Sequence, residues 1–190
     1  MGCDIHLKLE YRKKNPKPTD YEYEKKWRVS SLTYGECFSE RVYSVFAYLA
    51  DVRNYDGVDT LEIRGFPEDA SQNTIMAYSA LIVPDDEYET RFKYDDNPII
   101  RESEANELIN KYHYKTAKIW DRNFLLSYDV HSPNWCTTDE MAYVVKKVFY
   151  SKKKKKWKGA YENWLALVGA MKAYEKTGKY ECRAVFWFDS

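Results

Sequence analysis

The chain lacks an excess of either charge: 30 Lys and Arg stand against 30 Asp and Glu in 190 residues. That balance argues against a protein that coats nucleic acid by bulk electrostatics. No apolar run approaches the roughly 20 residues of a membrane span, so no membrane partner is expected. Cysteine is scarce. Cys3, Cys37, Cys136 and Cys182 lie far apart with no Cys-x-x-Cys pair, which fits reduced thiols in a cytoplasm rather than zinc or redox work. Seven glycines include the isolated Gly57, Gly65, Gly159 and Gly169, so neither a P-loop nor a dinucleotide fingerprint forms. Gly-x-Ser-x-Gly is absent as well. No secretory leader is expected, because Asp4, His6, Lys8 and Glu10 interrupt the start. Myristoylation would want Ser or Thr where His6 stands.

Aromatic residues are plentiful: 18 Tyr, 8 Phe and 6 Trp. With 44% hydrophobic and 32% charged residues, the chain is an ordinary globular mixture, able to bury about 70% of its unfolded surface. One domain is expected. Residues 3–12 alternate, with Cys3, Ile5, Leu7, Leu9 and Tyr11 against Asp4, His6, Lys8, Glu10 and Arg12, which predicts a half-buried strand. The turn Asn15–Asp20 leads into a predicted returning strand over 21–29. Helices are predicted over 39–52, capped by Ser39, over 102–113, from the capping box Thr137-x-x-Glu140, and over 160–177. Segment 71–83 reads as a weak helix or strand. Residues 84–107 carry nine acids and read as a solvated acidic insertion. Strands over 116–130 end at Ser127–His131, and another covers 180–188. Lys152 to Lys156 form the centre of a Lys-rich loop at 151–158. Without a βαβ rhythm, the pattern predicts an α+β fold: a mostly antiparallel sheet with three or four helices packed on it.

Two of the three histidines carry a carboxylate at the same offset: Asp4-Ile5-His6 and Asp129-Val130-His131. Residues two apart on a strand share a face, about 6.6–6.8 Å apart. Each pair can present carboxylate and imidazole together, the arrangement of an oriented general acid or base. If the two strands are neighbours, Asp4, His6, Asp129 and His131 offer N and O ligands for a divalent metal ion. The competing reading is that an Asp merely solvates an exposed His. His113, on a helix end, reads as a capping or surface group.

The string Met1-Gly2-Cys3-Asp4-Ile5-His6 resembles the start of a family of uncharacterised phage-encoded proteins. Arg41–Asn54, Arg64-Gly65-Phe66-Pro67-Glu68-Asp69 and Asp129-Val130-His131-Ser132 resemble the same family, over roughly a fifth to a quarter of the chain. After His131, Ser132-Pro133-Asn134-Trp135-Cys136-Thr137 departs from the family's Ser-rich run, and Pro133 is expected to reshape that loop. The resemblance implies a phage accessory protein of the counter-defence type, in the cytoplasm of an infected bacterial cell.

Two classes of function are expected. The first is a phosphodiesterase acting on a nucleotide or cyclic-nucleotide immune signal, with His6, His131, Asp4 and Asp129 catalytic. Arg64, Arg53, Ser132 and Trp135 would bind substrate, with either no cofactor or a divalent metal ion. The second is a sponge that sequesters the nucleotide in an aromatic and arginine pocket, or a protein that blocks a host factor. A homo-oligomer is compatible with the aromatic content. Nucleic acid is not expected as a partner, since a solvated loop accounts for the lysine run.

Overall fold

The computed structural model describes residues 2–33, 41–92, 98–150 and 158–189, with the side chains of 158 and 159 left out. In chain order the elements are β1 (Asp4–Lys13), α1 (Glu22–Lys25), β2 (Arg28–Val29), α2 (Tyr43–Ala50), α3 (Gln72–Ala77), β3 (Ser79–Val83), α4 (Tyr88–Phe92) and β4 (Ile99–Arg101). Then come α5 (Glu102–Tyr112), β5 (Thr116–Ile119), β6 (Arg122–Leu126), β7 (His131–Thr137), α6 (Thr138–Phe149), α7 (Lys158–Glu175) and β8 (Tyr180–Asp189). The fold is α+β, with two four-stranded sheets that are antiparallel except at the β3–β4 pair. The chain divides into two compact units. Residues up to Ser71 join those from His131 onward in the first, and Gln72–Val130 form the second.

In the first unit the strand order is β2-β1-β8-β7. The alternation of β1 is realised: Ile5, Leu7 and Leu9 are buried beside Phe186, Phe188 and the helical residues Val45, Phe46, Met141, Val144, Trp164 and Met171. β8 is central and buried on both faces, because Arg183, Val185 and Trp187 are as inaccessible as Ala184 and Phe186. The Thr137 capping box forms as expected, with Thr137 Oγ1 accepting from Glu140 N–H and Thr137 N–H donating to Glu140. Thr137→Ala is expected to cost about 1 kcal/mol, read as a lower urea midpoint at an unchanged slope.

Two local expectations give way in the first unit. Residues 21–29 are not one returning strand. Glu24 N–H donates to the Tyr21 carbonyl and Tyr21 N–H to Glu24 Oε2, closing Glu22–Lys25 into a helical turn and leaving only Arg28–Val29 to pair with β1. The loop expected after His131 is strand β7, whose Pro133 sits at a register shift on an outer strand, where a missing N–H is tolerated. The cap predicted at Ser39 lies outside the described residues, as do Cys37 and the Lys152–Lys156 run.

In the second unit the order is β4-β3-β6-β5. Its core holds Leu81, Val83, Ile99, Ile119 and Phe124 on one side and Ala80, Ile100, Ala105 and Leu125 on the other. The acidic segment 84–107 therefore contains structure: β4 lies parallel to β3, and its Ile100 has no exposed surface. Residues 93–97 of that segment lie outside the described residues.

Candidate functional site

The register of β1 on β8 pairs Asp4 with Asp189 and His6 with Trp187, so all four share the face of the sheet opposite the helices. His6 Nε2 lies 3.1 Å from Asp189 Oδ2, and the ring stacks on Trp187 with centroids 5.9 Å apart. The side chains of His6 and Asp189 are 30% and 43% exposed. The second oxygen of Asp189 accepts the Asp4 backbone N–H at 3.1 Å. The carboxylate that orients His6 is thus Asp189, reached across the sheet.

Asp4 has a different partner. Arg41 grips it through Nε and Nη2, both at 2.7 Å, and this bidentate contact holds the Asp4 carboxyl below its ordinary range. The Arg41 guanidinium also lies where a Cβ on residue 2 would stand, so any larger residue there would have to displace it. The start of the chain and the segment Arg41–Asn54 therefore meet at this end of the sheet. Arg53 adjoins them, its guanidinium over the Tyr43 ring at 5.1 Å and Nη1 donating to Tyr55 Oη at 3.0 Å. It also hydrogen-bonds the Cys3 side chain, while burial pushes that thiol up.

His131 stands elsewhere. It pairs with Phe188, which also pairs with Ile5, so it belongs to the helix-covered face at an exposed edge. Its ring stacks on Phe188 at 6.1 Å, and Nδ1 lies 3.0 Å from Ser132 Oγ. Asp129 is not in a strand. It occupies a turn of the second unit with a left-handed backbone, φ 58°. His6 and His131 therefore lie on opposite faces of the first sheet, and Asp129 belongs to no strand. Among the described residues, no three His, Cys, Asp or Glu side chains are arranged to hold a metal ion.

Arg64 and Trp135 serve the scaffold. Arg64 binds both carboxylate oxygens of Glu140 at 2.8 and 2.6 Å and lies 4.6 Å over the Trp135 ring. That contact lowers the Glu140 carboxyl to about 2. Asn134, fully buried, accepts the Arg64 backbone N–H and donates to Leu49 and Glu62 carbonyls. Sequence reasoning missed Arg41 and Asp189. Asp189 carried a signal: the alternation of β8 places it on the side of Trp187, opposite the first residues of an antiparallel β1. No described helix is long and apolar enough to cross a membrane. Comparison with protein-family models, curated proteins and solved structures returns no match to this chain.

Proposed function

We propose that this end of the first sheet performs acid–base hydrolysis of a phosphodiester, and that the protein acts as a phage accessory factor on a nucleotide or cyclic-nucleotide signal in the host cytoplasm. The observation that carries this reading is the His6–Asp189 pair at 3.1 Å, partly open to solvent and beside Arg41. Asp189 fixes the imidazole through Nε2, leaving Nδ1 for proton transfer. A water gives its proton to His6 while its oxygen bonds to phosphorus. The P–O bond to the leaving alkoxide then breaks, and the alkoxide takes a proton from the imidazolium, yielding a phosphomonoester and an alcohol. Arg41, held on Asp4 through Nε and Nη2, supplies the positive charge beside the pair that an incoming phosphate would approach. Because His131 faces the other way, the reading predicts unequal roles for the two histidines.

The test is turnover of linear and cyclic nucleotides with and without Mg²⁺, Mn²⁺ or Zn²⁺. His6→Ala and Asp189→Asn are expected to abolish product formation with unchanged melting, while His131→Ala retains it. Absence of turnover for every nucleotide and metal tried overturns the reading. A sponge is the second reading, favoured by Arg53 stacked on Tyr43 beside Tyr55, which is 76% exposed. Calorimetric binding with the nucleotide recovered intact would select it.

A further inference from the structure

The opposite end of β1 carries a feature that the His6 reading does not use. Tyr21 and Tyr23 stack with centroids 5.5 Å apart and planes 12° from parallel. The Arg28 guanidinium lies 5.5 Å from the Tyr23 ring and 4.7 Å from Tyr11, and Tyr11 stacks on Tyr174 at 4.4 Å. The result is a continuous π ladder, Tyr21–Tyr23–Arg28–Tyr11–Tyr174. Its inner rungs are partly buried and its outer rung is open: Tyr21 is 70% exposed and Tyr23 57%. Two large rings stacked on each other in water, at the head of an ordered ladder, present a flat apolar face of the size of a nucleobase.

The surroundings are cationic. Lys13, Lys14, Lys17, Lys25, Lys26 and Arg28 stand against Asp20, Glu22 and Glu24 in the same stretch, while Arg12 is engaged by Asp69 and Glu181. Asp20 is taken by Lys13 at 2.6 Å, and Glu22 by Lys25 at 2.6 Å. Lys14, Lys17 and Lys26 stand exposed. Lys14 N–H donates to the Lys179 carbonyl, which brings the exposed Lys179 alongside. The neutral net charge conceals this patch, because the second unit, residues 72–130, holds 11 Asp and Glu against 7 Lys and Arg. A row of separated lysines beside an open ring suits a strand of consecutive phosphates. Stacking on Tyr21 also requires a base that is not already stacked in a duplex.

We infer that this end of the first unit binds single-stranded nucleic acid. Bases extend the ladder outward from Tyr21 and Tyr23, and phosphates run along Lys14, Lys17 and Lys26. The inference is independent of hydrolysis at His6, because none of its residues belongs to that site.

Fluorescence anisotropy with labelled oligo(dT) and oligo(U) tests it on the full chain. Saturable binding is expected, weakened roughly ten-fold or more in Tyr21→Ala, since stacking on one aromatic ring is worth about 1–3 kcal/mol per base. The control Tyr112→Ala, at an exposed tyrosine of the second unit, should change nothing. With three phosphates neutralised, log K should fall with log salt at a slope of about −2, and Lys14→Ala should reduce that slope by about 0.7. Circular dichroism melting confirms that each variant is folded. The inference is overturned by any of three results: no binding to either oligomer, equal affinity for a duplex of the same length, or binding indifferent to Tyr21→Ala. Displacement by mononucleotide as effective as by oligomer would also overturn it, in favour of a free-nucleotide site.

Discussion

Arg183→Met is expected to destabilise the protein by about 3–5 kcal/mol, read as a fall in Tm of roughly 10 °C. Arg183 lies in the middle of β8 with its side chain 4% exposed, and Glu10 beside it on β1 has none exposed. Nε donates to Glu10 Oε2 at 2.7 Å and Nη1 to Asp69 Oδ1 at 2.6 Å. The guanidinium carbon lies 4.0 Å from the Trp27 ring centroid and 5.7 Å from that of Trp135. The network extends outward. Asp69 accepts from Trp27 Nε1 and Arg12, and Arg12 pairs with Glu181. Burial raises the Asp69 carboxyl, but Arg183, Trp27 and Arg12 together outweigh it and leave the group below its ordinary value.

The cost of removing Arg183 arises less from the lost bonds than from the charge left on Glu10 in a dry interior. Glu10→Gln in the Arg183→Met background should therefore recover a substantial part of the stability. The amide oxygen still accepts the Ser71 N–H that Glu10 now receives at 2.7 Å, and no buried charge remains. Urea unfolding of both variants decides the matter. An Arg183→Met protein within about 1 kcal/mol of the parent would contradict a buried ion pair that matters to stability.

The second large effect is a dependence on acid. The Glu140 carboxyl titrates near 2 in the folded chain, below its ordinary 4.5, mainly through the Arg64 fork. The native state therefore favours the carboxylate, and the unfolded chain takes up the proton first as pH falls. The stabilisation is fully present above about pH 4.5 and is lost as pH drops toward 2, about 3 kcal/mol in all. Glu140→Gln isolates it from the other carboxylates. The stability difference between parent and variant should be near its maximum at neutral pH and shrink steadily below pH 4.5. A difference that stays constant down to pH 2 would refute the assignment. Arg64 is expected to be replaceable by Lys only at a loss, because an ammonium cannot match both carboxylate oxygens.

These two ion pairs show what could be read in the chain and what could not. The period-2 pattern of residues 3–12 and 180–188 foretold β1 and β8, and it put Asp4 and His6 on one face. Nothing local could say that Asp189, 183 residues from His6, would be the carboxylate beside it. Strand partners are chosen by the packing of whole faces, not by neighbours in sequence. Arg64 looked available for phosphate because an arginine in a Gly- and Pro-containing segment shows no partner in sequence. Glu140 was legible as a helix cap, yet its second duty, to Arg64, depends on a fold-back from residue 64. The reverse error occurred at Ile99 and Ile100. There a surrounding density of acids masked two apolar residues that form β4 and fill the second unit's core.

The pairing of β1 with β8 also has a consequence for the order of events during synthesis. The central ladder of the first unit joins Asp4 to Asp189 and Lys13 to Tyr180, so it cannot close until Tyr180–Asp189 has left the ribosome. The second unit, continuous from Gln72 to Val130, needs no such wait. Contacts of that separation are slow to form because long loops must close first. The alternating apolar strand β1, with Ile5, Leu7 and Leu9, is therefore made well before β8, the strand that completes its ladder. During that interval it is an exposed edge that chaperones or an aggregating neighbour can engage.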